Sequence, residues 1–84
     1  MRETMILNDG TELIGRAEEE EPKLFIYVFG KTFGQMFQLM SDPNLTQKMT
    51  FIREGVITEY ENYTHLTQVI EISADLIGIT MTKE

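Results

Sequence analysis

The chain contains no cysteine, which excludes a disulfide framework and any thiolate metal site, the usual supports of small secreted domains. A reducing, intracellular compartment fits that absence. Its single histidine, His65, leaves no multi-histidine metal site and no pair of imidazoles within one chain. No apolar run approaches the roughly 20 residues needed to span a bilayer, and the opening stretch turns polar at Asn8 after Met5, Ile6 and Leu7, so it has no signal-peptide core. Basic residues are scarce: seven Lys and Arg stand against fourteen Asp and Glu, a formal charge of −7 that opposes nucleic-acid backbones and anionic membranes. The expectation is a cytoplasmic protein with no metal or cofactor and with neither nucleic acid nor membrane as a partner.

What is present suffices for one core. The 84 residues are too few to build two, since so short a chain buries only about 60 to 65% of its unfolded surface. Residues 1–84 are therefore read as a single domain, and an apolar fraction of 42% with five Phe and three Tyr is the content of a folded globule.

The spacing predicts a mainly β fold in the order βββ-α-ββββ, a curled antiparallel sheet tending to a small barrel or sandwich. Thr4 to Leu7 is a strand, and Asn8-Asp9-Gly10 turns the chain into a second strand ending near Glu18. Glu18 to Glu21 before Pro22 reads as an acidic turn, because like charges repel along a strand and proline lacks an amide donor. The third strand is apolar at every position from Leu24 to Phe29, which predicts a central place with burial on both faces.

Thr32 and Gln35 have the spacing of a helix capping box, and Phe33, Met36, Phe37 and Met40 are expected to form one stripe facing the sheet. Ser41-Asp42-Pro43-Asn44 should stop that helix. Strands follow over Lys48 to Arg53, Val56 to Tyr60, Thr64 to Ile72 and Leu76 to Thr82, with Gly15 and Gly78 expected at bulges or bends.

No set of residues reads as catalytic. Gly30-Lys31-Thr32 matches the end of a phosphate loop, but Phe25 stands where the first glycine would be, so the segment reads as a glycine turn followed by an N-cap. Consecutive Glu18, Glu19, Glu20 and Glu21 would point alternately up and down on a strand and cannot converge on an ion. Two surfaces remain as candidates: an interaction patch of Tyr60, Asn62, Tyr63 and His65, and an acidic contact formed by those four glutamates.

Asn8-Asp9-Gly10-Thr11, Leu24-Phe25-Ile26-Tyr27, Phe33, Met36 and Phe37, Ser41-Asp42-Pro43, Thr46-x-Lys48-Met49 and Tyr60-Glu61-Asn62-Tyr63-Thr64-x-Leu66 run in order through most of the chain. This series resembles the small proteins encoded among tail and baseplate genes in prophages of Gram-positive bacteria. The resemblance brings no catalytic residues, and Asn62 stands where it would place glycine. It implies a non-enzymatic structural or assembly role in a phage tail, with protein partners and incorporation into a virion. Self-association is expected from the residues themselves: Leu24, Ile26 and Val28 on one face of the central strand and Phe25, Tyr27 and Phe29 on the other offer more apolar surface than one short helix can cover. Two other readings stand beside the phage-tail role. One is an acidic inhibitor or decoy that binds a basic protein surface through Glu18 to Glu21. The other is a small ligand- or sugar-binding barrel using Tyr60, Tyr63 and His65.

Overall fold

The computed structural model describes residues 3–83. Seven strands and two short helices follow one another as β1 (Thr4–Ile6), β2 (Glu12–Glu20), β3 (Lys23–Phe29), α1 (Phe33–Met40), α2 (Pro43–Thr46), β4 (Lys48–Arg53), β5 (Val56–Glu61), β6 (His65–Ser73) and β7 (Leu76–Thr82). All strand pairs are antiparallel and form one sheet in the order β5-β4-β1-β2-β3-β7-β6.

The first hairpin closes as its sequence predicts. The Gly10 amide donates to the Leu7 carbonyl at 2.9 Å and Gly10 takes φ of 91°, a conformation that costs glycine little. The acidic turn is displaced. Glu18, Glu19 and Glu20 belong to β2, and the chain turns only at Glu21 and Pro22. On its β1 side β2 is bonded as far as Gly15, whose amide donates to the Glu3 carbonyl at 2.9 Å, and among the described residues no strand pairs with Glu18 to Glu20 there, so the acidic end of the strand is locally an edge, where charge is tolerated.

Strands β5 and β6 are opposite edges of the sheet, yet only residues 62–64 join them. A link that short reaches about 14 Å, whereas six steps between strands span roughly 29 Å. The sheet must therefore curl until its two edges converge at that end. They do not pair, so the barrel stays open.

The inner face of the curl holds the core. Leu24, Ile26 and Val28 of β3 are fully buried there beside Met5, Leu13, Phe51 and Ile79. Helix α1 lies over this face, its Thr32–Gln35 capping box formed as the spacing predicts. The apolar stripe of the helix is narrower than expected. Met36 and Met40 are completely buried, but Phe33 and Phe37 are 43% and 52% exposed and stack on each other with ring centroids 6.3 Å apart. An eight-residue helix packed on a sheet seats one i, i+4 row in the core, and the neighbouring row falls on its flank.

Asp42 and Pro43 do end α1, and they also start α2, with the Asp42 carboxylate accepting from the Asn44 amide at 3.0 Å. Proline serves at the first turn of a helix, where its missing amide has no partner to lose. The expected order thus gains a second helix. Gly15 and Gly78 lie in regular register, and the shifts fall instead in β6, between Leu66 and Gln68 and between Glu71 and Ser73.

Candidate interaction surfaces

Both faces of β3 are apolar, but only one is covered. On the outer face Phe25 and Tyr27 are half-buried and Phe29 is exposed, with no helix over them. Cross-strand register extends this surface sideways. Phe29 stands between Ile14 of β2 and Leu76 of β7, and Tyr27 between Arg16 and Gly78. The missing side chain at Gly78 leaves a shallow seat occupied by Ile70 and Ile72 of β6. Ile14, Phe29, Ile70 and Ile72 remain exposed. The guanidinium of Arg16 lies 5.7 Å from the Tyr27 ring, so its charge sits against an aromatic face. The expected burial of β3 on both faces is therefore incomplete: the fold supplies a cover for one face only.

The candidate patch Tyr60, Asn62, Tyr63 and His65 is divided. Tyr63 is completely buried, and its hydroxyl donates to Glu19 Oε2 at 2.5 Å. Burial raises its phenol well above the ordinary range, and the Glu19 hydrogen bond and charge add to that. Tyr60 packs edge-on against Tyr63 and Phe51, and burial raises its phenol too. Asn62 holds φ of 69° in the link, the left-handed region where glycine is usual and asparagine is among the best-tolerated alternatives. These three border one depression of about 500 Å³ together with Glu19 and Lys83. His65 is exposed on β6 and borders another, of about 680 Å³, beside Phe33 and Phe37. The buried Tyr63 ring offers no face to a sugar, and His65 does not join Tyr60 in one site.

The acidic contact is divided as well. Glu19 points inward to Tyr63, Glu21 pairs with Lys83 at 3.1 Å, and Glu18 and Glu20 are exposed. The Lys83 ammonium also lies 4.9 Å from the Tyr63 ring centroid. Half of the glutamates thus fasten the end of β2 to the β5–β6 link and to the residue after β7.

A third concavity, about 390 Å³, opens between β2 and the β4–β5 hairpin. Arg53 Nε approaches Glu3 Oε1 at 3.5 Å on its wall, and Glu3 Oε2 is buried with no hydrogen-bond partner among the described residues. Among the described residues no three His, Asp or Glu are placed to hold a metal ion, and no helix is long and apolar enough to cross a membrane.

Sequence reasoning missed the exposed Phe33–Phe37 pair, which it placed in the core, but it did expect apolar surface left over on the face of β3 that carries Phe25, Tyr27 and Phe29. The signal for that surface was legible in the unbroken apolar run of β3. No protein-family model, curated protein or solved structure matches the chain.

Proposed function

We propose that this protein is a non-enzymatic assembly part that works through protein contacts, its own copies included, in the phage-tail setting its sequence resemblance suggests. The reading is carried by one observation: the outer face of β3 and its neighbours is apolar and uncovered. Apolar side chains exposed side by side are a common mark of an interface, the more so as the patch grows beyond the few hundred Å² found on ordinary monomers. Ile14, Phe29, Ile70 and Ile72 are exposed on adjoining strands of this one face. The divided tyrosine patch and the engaged glutamates give the sugar-binding and decoy readings less to stand on.

Light scattering coupled to size exclusion at about 10 to 100 μM, where complexes of micromolar affinity populate, tests this. The expected result is a mass that exceeds the monomer and rises with concentration, and that falls in Phe29→Glu. A monomeric mass throughout would remove self-assembly from the proposal.

A further inference from the structure

The two edges of the sheet are unequally protected. Strand β6 carries two register shifts against β7, the kind of irregularity that discourages strand addition. Strand β5 has none, and it contains neither proline nor lysine. Five of its six residues are exposed, with Val56 and Ile57 at 64% each.

The free backbone groups of β5 can be assigned. Glu54 and Gly55 both have positive φ, 52° and 79°, the signature of the two-residue hairpin turn whose closing bond joins the flanking residues, here Arg53 and Val56. Bonding alternates along an antiparallel ladder, so Val56, Thr58 and Tyr60 bond to β4, and Ile57 and Glu59 direct N–H and C=O off the sheet.

We propose that a second copy of this chain adds at this edge, β5 against β5, about a two-fold axis through Thr58. This rests on the assembly reading above and adds to the Phe29 face a second contact, whose partner is the copy itself. Three nearby registers keep outer side chains opposite outer ones. Centring on Glu59 sets it against Glu59 of the second copy, and like charges directly opposite are unfavourable. Centring on Ile57 uses only one pair of outward-facing residues. Centring on Thr58 sets each Ile57 against Glu59 of the second copy, making about four main-chain bonds, and places Val56 beside Tyr60. Lys48, 3.1 Å from Glu59, offsets the charge that the acidic chain brings to this edge. One strand edge covers less than the roughly 800 Å² per partner of tight complexes, so affinity in the micromolar range is expected.

Because the chain has no cysteine, a single Thr58→Cys substitution reports the axis. Directly opposed residues of a pair that does not exchange hydrogen bonds lie about 4.5 Å apart at Cα, within disulfide range. Mild oxidation at about 50 μM should convert most of Thr58→Cys to a covalent dimer, with far less from Ile57→Cys. Ile57→Glu should weaken association at least tenfold, because it faces Glu59 of the second copy. Ile57→Lys should keep it within about threefold, because the same position then faces opposite charge. Both variants keep the monomer fold, read by circular dichroism, since the side chain is exposed. A wild-type dimer that Thr58→Cys does not trap, or that both charges at residue 57 leave unchanged, overturns the edge pairing and leaves the assembly reading standing. A wild-type monomer throughout overturns the edge pairing and removes self-assembly from that reading as well.

Discussion

The Tyr63 hydroxyl donates a hydrogen bond to Glu19 across 44 residues of chain, and this contact closes the curl of the sheet. Glu19 lies near the end of the long strand β2, and Tyr63 lies in the short link between the two edge strands. With Tyr63 fully buried and Lys83 over its ring, the contact fixes where the two ends of an open barrel meet. A polar bond thus sets the geometry, and an apolar ring supplies most of the burial.

Loss of that hydroxyl should be felt modestly at neutral pH and inversely at high pH. Tyr63→Phe removes one hydrogen bond, and exposed Glu19 can be rehydrated, so the expected cost near pH 7 is about 1 kcal/mol. The folded-state phenol is held above its ordinary value of 10.0, first by burial. Between that value and the raised one the unfolded chain binds fewer protons than the folded chain, so stability falls as pH rises beyond about 10. Tyr63→Phe should lose stability less steeply over that range. Urea unfolding of both proteins at about pH 7, 9 and 10.5 checks it, with Tyr60 common to both. Parallel decline would show that Tyr63 is not the group responsible.

The two rows of helix α1 should differ sharply in cost. Met36→Ala or Met40→Ala empties a fully buried position and should destabilise by about 2 to 5 kcal/mol. Phe37→Ala removes a ring that is half in water, so a cost of about 1 kcal/mol or less is expected. Denaturation midpoints in urea decide it, and equal losses at Met36 and Phe37 would mean that the helix is rotated from the orientation described.

Much of the fold was legible because its signals are local. The Asp9-Gly10 turn, the Thr32–Gln35 box and the seven strands each follow from residues adjacent in sequence. The pairing of β1 with β4 and of β3 with β7 joins distant segments, and nothing in either strand encodes its neighbour. Asp42-Pro43 misled because the same dipeptide ends one helix and caps the next. Glu18 to Glu20 misled because charge argues against a strand only where a partner lies on both sides, and here one side is open. The apolar run of β3 announced two apolar faces; which one the short helix would cover is a tertiary outcome. Burial of Tyr63 depends on the curl and carries no local mark, and the division of its patch from His65 follows from that.

Two glycines inside strands should respond differently to alanine. A Cβ at Gly15 would lie 2.7 Å from the Tyr27 carbonyl oxygen, which is backbone in a paired strand and cannot move aside cheaply. A Cβ at Gly78 would lie 2.8 Å from Ile72 Cδ1, the far end of an exposed side chain that can turn away. Gly15→Ala should therefore cost about 1 to 3 kcal/mol, the range for overpacking, and Gly78→Ala less than about 1 kcal/mol. Thermal or urea melts rank the pair, and the reverse order would contradict the spacing at Gly15.

Salt should strengthen self-association. Each copy carries a formal charge of −7, so bringing two together opposes like charges whatever surface they use. The apolar contacts do not depend on ionic strength in the same way. Raising salt from about 0.1 M to 1 M shortens the screening length from about 10 Å to about 3 Å. For bodies roughly 25 Å apart in water, removing the residual repulsion is worth on the order of 0.5 to 1 kcal/mol, a two- to fivefold gain in affinity. An acidic decoy bound to a basic protein predicts the opposite sign, since salt would then screen an attraction. The light-scattering mass at fixed concentration should therefore climb with sodium chloride. A mass that falls instead would show that opposite charges hold the assembly together, and would move the search for the interface to Lys48, Arg53 and Lys83 facing the acidic half of β2.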